Sequence, residues 1–312
     1  MSVTRSTLVS GPCKIVRSGS TLFTEGDLVI TPRLSLQDVA TSMHGVVGAS
    51  LDDVVYEASF TPCGVYAYNS ILFPYIGNGS NDSEQKPGYR IMTDSDVPTV
   101  ITGRDGGVYT LKASAITQMP DLFLGPTRSL FGPATITAVV ANAANPEDAD
   151  SFMSIGSGSY SDATFNPSAI VRQRYSAAWG SVAGFTSFQA QDFWTIQSQL
   201  ALEPVQAQGY TRDIRIRSLR YMAKCVPVGP TGAQIEAALR AQGSGAVEGR
   251  RQSGGAADLV ITGSGVSVTL KNAALREAGY VFGGVPLRNG EIGLETTIAF
   301  SSGVPVPQLI LA

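Results

Sequence analysis

The sequence runs through one pattern twice, so its fold must accommodate two versions of the same unit. Gly107-Val108-Tyr109-Thr110-Leu111-Lys112 returns as Gly265-Val266-Ser267-Val268-Thr269-Leu270-Lys271, with one extra residue between the Val and the Thr. Leu34-Ser35-Leu36-Gln37-Asp38-Val39 returns as Leu200-Ala201-Leu202-Glu203-Pro204-Val205, an offset of 166. Val54, Tyr56, Ala58, Phe60, Pro62 and Gly64 match Leu219, Tyr221, Ala223, Cys225, Pro227 and Gly229 at an offset of 165, and Thr110 matches Thr269 at 159. Collinear matches with slowly drifting offsets mark a tandem duplication that later acquired loop differences. At 312 residues, each copy has room for a core of its own.

The expected organisation is an N-terminal arm (1–20), a first domain (21–145), a linker or loop (146–166) and a second domain (167–312). The stretch to about Ser20 is polar and lacks periodicity, whereas short β-type runs separated by turn residues begin at Thr21. Val54, Tyr56, Ala58 and Phe60 alternate with Val55, Glu57, Ser59 and Thr61, the period of a half-buried strand. In the second copy Ile214 and Ile216 alternate with Arg215 and Arg217, and the phase then slips at Ser218-Leu219. A one-residue slip turns the apolar face outward unless the strand bulges there. The sequence therefore predicts a long bulged strand with Arg215 and Arg217 facing water or a neighbouring subunit.

One helix is expected, over Thr231–Arg240, with Thr231 as N-cap, Gly243 beyond its end, and Ile235, Ala238, Leu239 and Gln242 on one face. Its counterpart in the first copy, 65–73, reads as helix or strand. Gly77–Gly88 and Gln242–Gly255 read as loops, and Asn142–Asn166 marks the boundary between copies.

Charged residues make up only 15%, with 34 Gly and 17 Pro, and Arg outnumbers Lys seventeen to five. A Lys-poor, Arg-leaning surface suits extensive subunit contacts. The net charge of −3 excludes a DNA binder held by a basic face. Neither an export signal nor an apolar run long enough for a membrane span is expected. Cys13, Cys63 and Cys225 are odd in number without CxxC spacing, and read as buried, reduced thiols of a cytosolic protein.

The search for chemistry returns no catalytic, cofactor-binding or metal residue. The single histidine, His44, has no local nucleophile or carboxylate to work with. Gly243–Gly249 has the wrong spacing for a phosphate loop and follows a helix rather than a strand. Asp94-Ser95-Asp96 and Asp148-Ala149-Asp150 begin like calcium loops but lack the following Gly and distal Glu. Arg250-Arg251 reads as a solvated pair. Trp179, Trp194, Tyr175 and Tyr210 admit two readings, core packing or a sugar-stacking platform.

Four segments taken in order carry a family resemblance: Val54–Pro62 (VVYEASFTP), Ser114–Pro120 (SAITQMP), Ser129–Gly132 (SLFG) and Val285–Ile292 (VPLRNGEI). Their order resembles the major tail (tube) proteins and related virion structural proteins of long-tailed bacteriophages, over about Thr21 to Phe300. The resemblance implies a mainly β chain of two tandem β-sandwich or rolled β-barrel domains, each with at most one flanking helix. It implies a non-catalytic subunit without cofactor, self-assembling into stacked rings that conduct double-stranded DNA. Relatives with two fused domains build trimeric, pseudo-sixfold rings. Implied partners are further copies of the chain and other tail proteins (tape measure, terminator, tip), with DNA passing unbound and the tail assembled in the host cytoplasm. The alternatives are another virion part: a head–tail connector, a baseplate component or a carbohydrate-binding host-contact module.

Overall fold

The computed structural model describes residues 7–9, 11–17, 19–63, 98–126, 131–139, 152–161, 173–207, 209–241, 257–281, 288–296, 300–301, 304–305 and 309–311. It is mainly β, with one short helix among the described residues. The first series of strands is β1 (Thr7–Val9), β2 (Lys14–Arg17), β3 (Ser20–Thr24), β4 (Leu28–Thr41), β5 (Gly45–Phe60), β6 (Pro62–Cys63), β7 (Thr99–Thr102), β8 (Gly107–Leu111), β9 (Ala113–Gln118), β10 (Leu122–Leu124), β11 (Ala134–Val139) and β12 (Met153–Ser157). The second comprises β13 (Ser176–Trp179), β14 (Phe188–Ala190), β15 (Trp194–Ala207), β16 (Tyr210–Cys225), β17 (Pro227–Val228), helix α1 (Gly232–Ala241), β18 (Ala257–Gly263), β19 (Val266–Val281) and β20 (Arg288–Thr296). Three short strands, β21 (Phe300–Ser301), β22 (Val304–Pro305) and β23 (Leu309–Leu311), close the chain.

Every sheet neighbour is antiparallel, and the pairing schedule is carried out twice. In the first pass β1-β4-β5-β11-β9 form one sheet and β12-β8-β7-β2-β3-β6 another. In the second, β10-β15-β16-β20-β19 continue through β19 into β18-β13-β14-β17, with β23 beside β19. The two passes differ at one joint. β8 and β9 are separate strands flanking Lys112, whereas their counterparts are the two halves of the continuous β19.

The correspondence holds residue by residue. Val9 faces Leu28 as Leu124 faces Trp194, and Ala134 faces Phe60 as Ile292 faces Cys225. Even the irregularities recur. Register shifts fall between Ser35/Leu36 and Val39/Ala40 in the first long hairpin, and between Ala201/Leu202 and Val205/Gln206 in the second. Bulges are positional features of a strand pair rather than accidents of sequence, and the skipped residues, Asp52 and Val47 in the first hairpin and Arg217 and Arg212 in the second, have little else in common.

The core is continuous across both passes. It contains an aromatic chain in which Trp179, Phe185, Phe188 and Trp194 meet successively edge to face at 5.2–5.4 Å. Trp179 Nε1 donates to the carbonyl of Ala273 at 2.9 Å. At the matching point of the first pass the buried Arg17 donates from Nη2 to the carbonyl of Ser114, also at 2.9 Å. Two chemically unlike side chains thus satisfy one backbone position, because the acceptor belongs to the sheet architecture.

The helix forms where expected. Thr231 and Gln234 make reciprocal capping bonds, Gln234 N to Thr231 Oγ1 and Thr231 N to Gln234 Oε1, while Ile235 and Ala238 are buried. Arg217 is the residue the second-copy bulge skips, and both Arg215 and Arg217 are exposed as expected. Short strands also lie within and across the expected segments. The stretch read as an arm holds β1 and β2, with Cys13 and Ile15 fully buried. The stretch read as a linker holds β12, paired to β8. β10 lies inside 21–145 yet pairs with β15. All four strands are three to five residues long, too short for a period of two to register. Segments 65–73, Gly77–Gly88 and Gln242–Gly255 lie outside the described residues.

Candidate assembly surface

The residues that carry chemistry elsewhere are dispersed or buried here. His44 sits exposed in the turn between β4 and β5, its backbone N–H donating to Thr41 Oγ1. Trp179, Trp194 and Tyr175 are buried and only Tyr210 is partly exposed, so no stacking platform forms from the four. The cysteines are unpaired with one another, and burial pushes each thiol up, Cys225 furthest. Cys63 is half-buried rather than buried. Among the described residues no group of three or more His, Cys, Asp or Glu side chains is arranged to hold a metal, and no helix is long and apolar enough to cross a membrane. Asp94–Asp96, Asp148–Asp150, Gly243–Gly249 and Arg250-Arg251 lie outside those residues.

What the structure builds instead is a pair of long arms. β4 with β5, and β15 with β16, are antiparallel hairpins of 14 and 16 residues per strand. Their bases are held in sheets on both sides. β1 covers β4 only at Leu28–Ile30 and β11 covers β5 only at Tyr56–Phe60, so the remainder projects as two strands. The second arm is held in the same way, by β10 at Trp194–Ile196 and β20 at Met222–Cys225.

The far half of the second arm is seated on the first sheet. Ile214 packs with Ala113 and Ala115 of β9, Val139 of β11 and Val55 of β5, and Leu202 packs alongside. Asp53 of β5 fixes the tip by accepting bonds from both the N–H and the hydroxyl of Thr211. Thr117 and Thr137, 2.6 Å apart through their hydroxyls, extend this floor beside the Arg33–Glu57 ion pair. Along the arm itself Arg215 donates to Glu203 at 2.7 Å, and that bond holds the Glu203 carboxyl below its usual range.

The far half of the first arm is bare. Every residue from Ser35 to Asp52 is exposed, on both faces of the hairpin. Six of the eight large apolar side chains exposed on the described surface lie on it: Leu36, Val39, Met43, Val46, Val47 and Leu51. Met43 at the turn is 84% exposed. A two-stranded ribbon is marginal in water without something packed on it, and single exposed apolar residues, not clusters of this kind, are the norm on a free surface.

The site that would match the seat lies on the second sheet. Val55, Thr117 and Thr137 of the first pass correspond to Arg220, Arg276 and Glu295 of the second. Glu295 is nearly buried between the two arginines, 2.9 Å from Arg276 Nε and 3.6 Å from Arg220 Nη1. Ala274, the counterpart of Ala115, lies on the same floor. The two seats therefore share backbone form and differ in charge.

Sequence reading placed one strand of each hairpin, Val54–Phe60 and the bulged strand from Ile214, and the exposed arginines, but neither the arms nor the seat, which joins residues more than 150 positions apart such as Asp53 and Thr211. The signal that could have found it is the contrast within the repeat. Val46 and Val47 stand where the second copy has Thr211 and Arg212, so the first arm is apolar near its turn where the second is polar. No known protein-family model matches the chain, and no curated protein matches it.

Proposed function

We propose that this chain is a structural subunit of a bacteriophage tail tube, assembling without chemistry into stacked, trimeric, pseudo-sixfold rings that form a DNA conduit. The observation that carries the reading is the doubled pairing schedule with one arm seated and one bare. A subunit holding two register-matched units supplies two equivalent positions of a ring, and ring closure removes the exposed strand edges that an isolated hairpin presents. The segments resembling tail-tube proteins supply the identity of the ring, and the other virion roles remain its competitors. A stacking platform of four aromatics loses its support, because three of them belong to the core. Further tail proteins (tape measure, terminator and tip) and double-stranded DNA in transit are the partners this reading entails.

Native mass spectrometry with negative-stain imaging tests it. Rings or tubes built on multiples of three chains are the expected result, and a protein that stays monomeric at every accessible concentration sinks the reading. Quantitative proteomics of purified virions separates tube from connector: many dozens of copies per particle belong to a tube, a few to a connector or tip. The channel wall should carry more Asp and Glu than Lys and Arg, because a basic wall would hold phosphates and stall the DNA. A narrowest ring lined by arginine points to a DNA-gripping connector instead.

A further inference from the structure

The seated arm is a template for a contact that the chain cannot make with itself. We propose that the bare first arm, Ser35–Asp52, docks on the second sheet of another copy of this chain, on the face where Arg220 and Arg276 reach solvent beside the buried Ala274 and Glu295. This inference rests on the reading of the chain as a doubled, ring-forming unit and names the surfaces that reading needs.

The argument follows from the repeat. The relation that carries the first unit into the second places the second arm on the first seat. Applied once more, the same relation places the first arm of the next copy on the second seat of this one. The contact is head to tail and uses two different surfaces, the kind that closes into a ring when its rotation permits. Leu36 and Ala49 then take the places of Leu202 and Ile214, and Val46 stands opposite Ser218 as Thr211 stands opposite Asp53.

Charge selects the same occupant. The far half of the bare arm carries Asp38 and Asp52 with Asp53 at its root, and no Lys or Arg. The second seat offers Arg220 and Arg276 around one carboxylate. The bare arm carries no Lys or Arg to set against Arg220 and Arg276, whereas the second arm sets Arg212, Arg215 and Arg217 against Glu203 and Asp213 and is the more basic of the two. The seated pair reverses the arrangement, putting the arginine-bearing arm on a floor of Ala, Val and Thr anchored by Asp53. The two arms are therefore not interchangeable, which fixes the order of units around a ring.

The test uses the full chain in two variants. Val46→Asp with Val47→Asp puts charge into the proposed contact at positions already exposed, so the melting temperature of the unassembled chain should not change. The concentration needed for assembly should rise by roughly a hundredfold or more, read by sedimentation velocity. Val46→Cys with Ser218→Cys should give, on mild oxidation, a ladder of chains linked end to end on a non-reducing gel. Each single substitution should give none. If the wild type assembles, the double Asp variant assembles equally well and no ladder appears, the arm-to-seat contact is wrong while the ring-forming role survives. If the wild type remains monomeric at high concentration and the cysteine pair yields no ladder, both fall.

Discussion

The two hairpin arms share length, bulge positions and sheet neighbours, yet they live in different surroundings. The second has found a seat within its own chain, so its far half carries Thr211, Asp213, Ile214 and Ile216 out of solvent. The first holds Leu36, Val46 and Leu51 in water. Backbone form is common property of the repeat, whereas side-chain character follows what each copy touches. A pleated ribbon is specified by register and bulges, and those survive almost complete exchange of the residues on it.

The comparison can be broken most forcefully at the core position that the copies fill differently. Trp179→Ala should remove about 3–5 kcal/mol, since it empties a large buried site and orphans the Ala273 carbonyl. Arg17→Ala at the equivalent point should cost less, about 1–3 kcal/mol, mainly through the lost bond to Ser114. Urea unfolding of both variants checks the order, and a larger loss at Arg17 would mean that the first half dominates stability.

A smaller effect is expected at the seat. Ile214→Ala should cost about 2 kcal/mol, while Ala49→Gly at the matching point of the bare arm should fall within about 0.5 kcal/mol of the wild type in the unassembled chain. Asp53→Ala should cost about 1 kcal/mol and speed amide exchange at Thr211, leaving exchange at Val46 unchanged. Equal acceleration at both tips would show that the seat does not hold the second arm.

The smallest effect concerns pH. Arg215 lowers the folded-state value for Glu203, so the contribution of this pair is present above the ordinary carboxylate range. It fades as pH falls through the lowered folded value. The pair is well exposed, so the slope should be slight and should vanish in about 1 M salt. Titration of Glu203 by NMR in wild type and in Arg215→Gln checks the direction: the carboxyl should rise toward its ordinary value in the variant.

Much of this was legible in the sequence where elements are long. Val54–Phe60 shows its strand by alternation, the phase slip at Ser218 announces the bulge at Arg217, and Pro230-Thr231 announces the helix. The short strands left no trace, since Thr7–Val9 and Leu122–Leu124 offer three residues each, less than two full alternations. The seat was out of reach for a different reason. Nothing in the order of residues ties Ala113, Ala115 and Val139 to Ile214, and only the fold shows that it comes down on them.

The placement of β10 carries a consequence for how the protein comes off the ribosome. Leu122–Leu124 is synthesised between two strands of the first sheet, but its hydrogen-bonding partner, Trp194–Ile196, emerges some seventy residues later. The nascent first half therefore cannot finish while the second is still inside the exit tunnel, and it holds an unmatched strand until β15 appears. Cutting the gene at the boundary suggested by the repeat would strand β10 on one product and open the β15 edge on the other. The two halves are alike in plan and inseparable in practice, and co-expressed fragments should recover a folded protein better than either fragment made alone.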